Sequence, residues 1–99
     1  MSRFTLYPAL SGDGFLLDVQ SDLLDGLNTR VVVPLMPLAQ APRPMSVLNP
    51  VFDIAERPHV MVTQFLSAVP AGLLRQQIGS LAVQSEQITH ALDFLHQGF

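Results

Sequence analysis

Cysteine, lysine and tryptophan are all missing from this 99-residue sequence. Without cysteine there is no disulfide scaffold, no thiol nucleophile and no thiolate metal site. Without lysine there is no P-loop and no Schiff-base chemistry. All five cations are arginines, at positions 3, 30, 43, 57 and 75, and they are scattered. Charged residues make up only 13% of the chain and the formal net charge is −3, against about 25% charged residues in an ordinary soluble domain. With no basic cluster, autonomous nucleic-acid binding through many phosphate contacts is not expected. No run of about 18 apolar residues occurs, and the opening Met1-Ser2-Arg3-Phe4-Thr5 leads into an alternating pattern rather than a signal-peptide core. The chain therefore reads as cytoplasmic.

What is present is apolar: 48% of the residues are hydrophobic. A chain of this length buries roughly 65% of the surface it exposes when unfolded, enough for one core, so residues 1–99 read as a single domain. With so little charge to cover the remainder, some apolar surface is expected to be hidden by a partner or a second copy, and a homodimer is the expectation.

Phe4 to Tyr7 alternates with period two and stops at Pro8, a short strand. "SGDG" (11–14) is a turn cluster, and Phe15 to Gln20 reads as the second strand of a hairpin. "SDLLDGLN" (21–28) is too short and too rich in turn formers for a packed helix and reads as a one-turn connection. Arg30 to Leu35 is a buried strand in which Pro34, lacking an N–H, must fall at an edge or a bulge. Prolines 37, 42, 44 and 50 make Met36 to Pro50 an irregular crossing. Val51 to Ile54 and Val60 to Thr63 flank "AERPH" as a second hairpin, and Phe65 to Pro70 is a further strand. Then the period changes. Leu81, Ile88, Leu92 and Leu95 share one helical face with Ala91 beside them, and Gln84, Glu86, Gln87, His90 and Asp93 lie mainly opposite. A helix over about 82–96, with Ser80 near its start and Gly98 as its stop, closes an α+β or small-barrel arrangement.

Candidate chemistry is sparse. His90 and His96 point to different sides of the helix, and with His59 they make no metal set. No "GxSxG" frames a serine. Asp18, Asp22 and Asp25 form a loose acidic group that reads more economically as turn residues and caps than as a divalent-ion site. The glycines never gather into a phosphate cradle, so no cofactor or catalytic residue is assigned. A small, weakly charged domain without such chemistry is a binder.

Several motifs together resemble the CcdB family of toxin–antitoxin toxins, poisons of DNA gyrase. "DVQSDLLD" (18–25) is similar to that family's "DVQSDIID". "RVVVPL" (30–35), "SAVP" (67–70), "FTLY" (4–7) and an end of glycine plus an apolar residue match in order and spacing. The resemblance implies an SH3-like small barrel of the CcdB/MazF type: a five-stranded antiparallel sheet, a small second sheet and a C-terminal helix. It implies a homodimer with both carboxyl ends near the two-fold axis. It further implies a protein that is not an enzyme, that binds the A subunit of gyrase and holds the cleaved gyrase–DNA complex, and that is neutralised by a CcdA-like antitoxin with a disordered tail. DNA is met only indirectly.

Carried over position by position, the gyrase-facing residues are Phe4, Tyr7, Ser21, Leu23, Leu24, Asp93, His96, Gln97, Gly98 and Phe99. Each has a plainer reading: Tyr7 as an ordinary strand residue, Leu23 and Leu24 as core. The family's end is Trp-Gly-Ile, and its tryptophan stacks on a gyrase arginine; here Gln97-Gly98-Phe99 stands instead. Asp93 and His96 replace an amide and an aromatic residue. The first loop, "ALSGDG", lacks the basic residues that would meet an acidic antitoxin and leaves Arg43 as the candidate contact. Two alternatives follow from the same resemblance. One is a CcdB-fold homologue that no longer poisons gyrase. The other is a MazF-like endoribonuclease, for which Arg30 and Thr29 are the nearest catalytic candidates.

Overall fold

The computed structural model describes residues 2–98. Seven antiparallel strands precede one helix: β1 (Thr5–Pro8), β2 (Phe15–Asp18), β3 (Thr29–Pro37), β4 (Val51–Ile54), β5 (Arg57–Met61), β6 (Ser67–Pro70), β7 (Gly79–Ser80) and α1 (Ser85–Gln97). The sheet order is β4-β5-β3-β2-β1-β7, with β6 also paired to β3. It is a curled antiparallel sheet with a C-terminal helix, as the small-barrel reading expects.

The separate small sheet is joined to the larger one through β3. This strand is nine residues long, against the six expected from its valines. Its first half, Thr29 to Val32, pairs with β6, and its second, Leu35 to Pro37, pairs with β5. Pro34 falls between the two ladders, where its missing N–H breaks no pairing, while its carbonyl accepts from Val62 N at 3.0 Å. Alternation along β3 sorts the sheet into two faces. Leu6, Leu17 and Val33 are paired side by side and look toward α1. Tyr7, Leu16 and Pro34 form the neighbouring row on the other face.

α1 covers the first face with Ile88, Ala91 and Leu92, which join Leu6, Leu17, Val19, Val33, Leu35, Phe52 and Met61 in one core. The helix starts later than its periodicity suggests, because Ala82–Gln84 form a separate 3-10 turn. Its polar residues Glu86, Gln87, His90 and Asp93 are exposed. It stops at Gly98, whose φ of +82° lets its N–H return to Phe94 O at 2.9 Å.

Turn chemistry accounts for the other differences. The hairpin expected around "AERPH" turns on two residues only, Ala55 and Glu56, both at positive φ (54° and 64°). Arg57, Pro58 and His59 are therefore strand residues, registered against Ile54, Asp53 and Phe52. Such a two-residue turn prefers Asn-Gly, and Ala-Glu carries strain that glycine would not. The segment Thr63–Phe65 is a 3-10 turn ahead of β6 rather than part of it. Gly14, at φ +106°, is needed where it stands, because a Cβ there would lie 2.5 Å from Leu35 O. β7 pairs only with Thr5 and Leu6. The proline-rich crossing is irregular, as its prolines require, and is pinned by buried Asn49, which donates to Met61 O (3.1 Å) and accepts from Met45 N (3.0 Å).

The turn makes a direct prediction. Glu56→Gly should raise unfolding stability by up to about 1 kcal/mol by relieving the left-handed backbone, whereas Gly14→Ala should lower it and shift the urea midpoint downward. An unchanged midpoint for Glu56→Gly would mean that the turn is not strained.

Candidate functional site

The one-turn connection after β2 is a 3-10 turn over Asp22–Leu24, with Ser21 Oγ accepting from Leu23 N at 3.2 Å. Asp22 Oδ1 accepts from Arg3 N at 2.8 Å, and Arg3 Nε donates to Val19 O at 3.2 Å. The start of the chain, the connection after β2 and the end of α1 thus meet around one groove of about 330 Å³. Val19, Val31, Leu66 and Leu92 give it an apolar floor; Arg3, Gln20, Ser21, Asp93 and His96 give it a polar rim. An apolar floor with a few convergent polar groups suits a docking side chain.

Of the residues nominated from sequence, Ser21, Leu24, Asp93 and His96 line this groove. Leu23 projects beside it with 95% of its surface exposed, and Leu24 is half exposed. The core reading of these two leucines is therefore corrected: the short turn between β2 and β3 reaches past the sheet, and no residue of Asp22–Leu24 is buried. Gln97 and Gly98 are exposed at the helix end, and Phe99 lies outside the described residues. Phe4 packs partly into the core with Arg3 Cζ 4.8 Å above its ring. Its φ of +72° is unusual for so large a side chain. The backbone is held there by Phe4 N to Asp18 O, Thr5 N to Ser2 O and Leu81 N to Phe4 O.

Tyr7 stands apart from the group. It is 1% exposed and packs with Val32 and Leu74 on the sheet face away from α1. Its ring is core within this chain, because strand alternation places it opposite to Leu6. Arg43 is exposed in the proline-rich crossing.

Sequence reasoning missed Arg3 as a groove residue and missed a buried ion pair between β2 and β3. Arg30 and Asp18 are both fully buried. Arg30 Nε donates to Asp18 Oδ2 at 2.9 Å, and Nη2 makes an ionic contact of 2.7 Å with the same oxygen. The second carboxylate oxygen accepts from Gln20 N at 3.0 Å, and the guanidinium meets Asp18 on one oxygen only. Nη1 donates to Asp25 Oδ1 at 3.1 Å. Burial pushes the Asp18 carboxyl up from its ordinary value, and the Arg30 guanidinium pulls against that. The acidic group thus divides: Asp22 receives the Arg3 amide, and Asp18 and Asp25 face Arg30. Among the described residues no three histidine or acidic side chains gather to hold an ion. The pairing also removes Arg30 from the nuclease reading, since a guanidinium enclosed with two carboxylates presents nothing to a phosphate. His59 is buried, with Nδ1 donating to Arg57 O at 2.9 Å and its ring 5.0 Å from that of Phe15.

Fold and groove define a small sheet-and-helix domain whose groove has an apolar floor and a polar rim. The family model for CcdB protein matches residues 3–98. The chain belongs to the CcdB family, and with it to the toxins of toxin–antitoxin pairs. Among the described residues no helix is long and apolar enough to cross a membrane.

Tyr7 supplies a spectroscopic test of the interior. Burial pushes its hydroxyl above the usual value of 10.0, with the Asp18 carboxylate adding to the effect and Gln77 and Arg30 opposing it. A folded value above the unfolded one means that this contribution is complete below about pH 10 and is lost as pH rises through the folded value. With one tyrosine, no lysine and no cysteine, no other side chain titrates in that window. Phenolate absorbance should therefore appear together with the loss of circular dichroism, and Tyr7→Phe should move the alkaline transition upward. A phenolate forming at pH 10 in protein that keeps its native signal would contradict the burial.

Proposed function

We propose that the chain is a gyrase-directed toxin: a homodimer that binds the A subunit of gyrase through the groove, the Leu23-Leu24 tip and the helix end, and holds the cleaved gyrase–DNA complex. The observation that carries this is convergence. Ser21 and Leu24 come from the connection after β2, Asp93 and His96 from α1, and both pairs, nominated by family resemblance, line one groove. A carboxylate beside an apolar floor suits a cationic side chain, whose aliphatic stem lies on the floor while its head meets Asp93. A second copy would hide some of the exposed apolar surface, which includes Leu10, Leu27, Phe65 and Val83. A CcdA-like antitoxin would reverse the action, with Arg43 on the exposed crossing as one contact for an acidic tail.

A second reading is favoured by the composition of the tip. Gln97, Asp93 and His96 replace the groups used by toxic members, and the second reading is a family member that does not poison gyrase; in that version the partner differs and the groove remains.

One assay separates these readings. Wild type expressed in a host with ordinary gyrase should arrest growth and accumulate cleaved DNA. Gln97→Trp should increase trapped complexes about two- to thirtyfold by restoring a cation–π contact of about 0.5–2 kcal/mol. Action by the tryptophan variant alone would favour the second reading. Normal growth and intact DNA with both would refute gyrase as the partner.

A further inference from the structure

The tip poses a mechanical question. Residues 22–29 are all exposed, and the turn carrying Leu23 and Leu24 sends no apolar side chain into the core. Hydrophobic packing does not hold it, yet an exposed leucine serves recognition best when its backbone is already in place, because ordering a loose loop on contact weakens binding. The structure offers a polar alternative. The Gln20 side chain donates through Nε2 to Leu24 O at 3.0 Å and accepts at Oε1 from Val31 N at 3.0 Å, so it straps the tip to β3. Arg30 Nη1 reaches Asp25 Oδ1 at 3.1 Å from inside the sheet. The fixed end of both straps is Asp18, which takes Arg30 Nε on one oxygen and Gln20 N on the other.

We infer that Asp18, Gln20, Arg30 and Asp25 form a positioning clasp that presents Leu23 and Leu24 preformed to the partner. Arg30 and Gln20 are thus positioning residues, and the inference rests on the reading of the tip as a gyrase contact. The design has a physical logic. Arg30 is fully buried, whereas the Asp25 side chain is 51% exposed. The guanidinium, like the buried Gln20 side chain, therefore joins the sheet interior to the turn, and it does so through a side chain on the turn's exposed side. A lysine could not do the same, having no fork to divide between two carboxylates.

The two straps can be cut separately without removing the buried pair. Asp25→Ala removes the outer one, Gln20→Met the inner one at similar volume, and Asp25→Asn keeps an acceptor for Arg30. Two quantities should be measured on the full chain: amide hydrogen exchange along 21–28 relative to β3, and affinity for the purified gyrase A subunit. Each cut should speed exchange at Leu23, Leu24 and Asp25 about tenfold, the scale of one lost charge-assisted or strapping hydrogen bond, and weaken binding by a similar factor. β3 amides should stay protected, apart from Val31 in Gln20→Met, whose N–H loses its Gln20 acceptor, and Asp25→Asn should restore both readouts toward wild type. A purely structural role would speed exchange along β3 beyond Val31 and would leave affinity tracking global stability.

Unchanged exchange at 22–25 in both cut variants would overturn the clasp. So would faster exchange with unaltered affinity, since the tip would then not need to be preformed. Failure of wild type to bind the A subunit is a different result: it sinks the functional reading, and this inference with it.

Discussion

The enclosure of one guanidinium governs how this chain is put together. Arg30 lies in β3 with no exposed surface, and its charge is answered by Asp18 from β2 and Asp25 from the connection between them. Taking two opposite charges out of water costs several kcal/mol per ion, and their attraction repays that only with good geometry and full hydrogen bonding. Asp18 meets the condition through Gln20 N and Arg30 Nε, yet burial still leaves its carboxyl raised. Such a pair adds little net stability, but it is unforgiving: a register shift of β2 on β3 would leave both charges buried and unpaired. It fixes how β2, the turn and β3 follow one another, and hence where the turn can point.

That arrangement was only half visible in the sequence. Strands show through period two, and β1, β2, β4 and β6 lie close to where their alternation puts them. β3 was underestimated because Met36 and Pro37 were counted with the proline-rich crossing; the division of its far edge between β5 and β6 makes the internal Pro34 acceptable. β7 has two residues and no period to detect. The hairpin at Ala55 and Glu56 was misjudged because those residues are not turn formers by type, and Arg57-Pro58-His59 resembles a turn more than they do. The helix was legible because its apolar spacing is long and regular. The ion pair was not, since Asp18 and Arg30 are 12 residues apart and nothing in either neighbourhood signals burial.

The candidate site divides in the same way. Ser21, Leu24, Asp93 and His96 were nominated by resemblance, and their meeting is a matter of tertiary geometry that no local pattern contains. Arg3 was overlooked because a lone arginine near a chain start has no periodicity. Tyr7 was nominated with the others, but strand alternation decides its side: Leu6 looks toward α1, so Tyr7 cannot.

A last consequence concerns how recognition can change in such a domain. On α1, Ile88, Ala91 and Leu92 serve the core, whereas Asp93, His96 and Gln97 are exposed. The three helix positions at which the resemblance to the family pattern breaks down all belong to the exposed set. Exchanges at such positions usually alter stability by less than about 0.5 kcal/mol, so the rim can vary while the fold is indifferent. The floor cannot. Leu92 and Val19 belong at once to the groove and to the core, so a change that reshaped the floor would also open a cavity beneath the sheet. The shape of the groove is therefore tied to the packing of the core, whereas the chemistry of its rim is not. Two of the domain's few charges, Arg3 and Asp93, lie on that rim beside His96, so a partner seated in the groove would be selected by the difference in affinity those groups make between it and another.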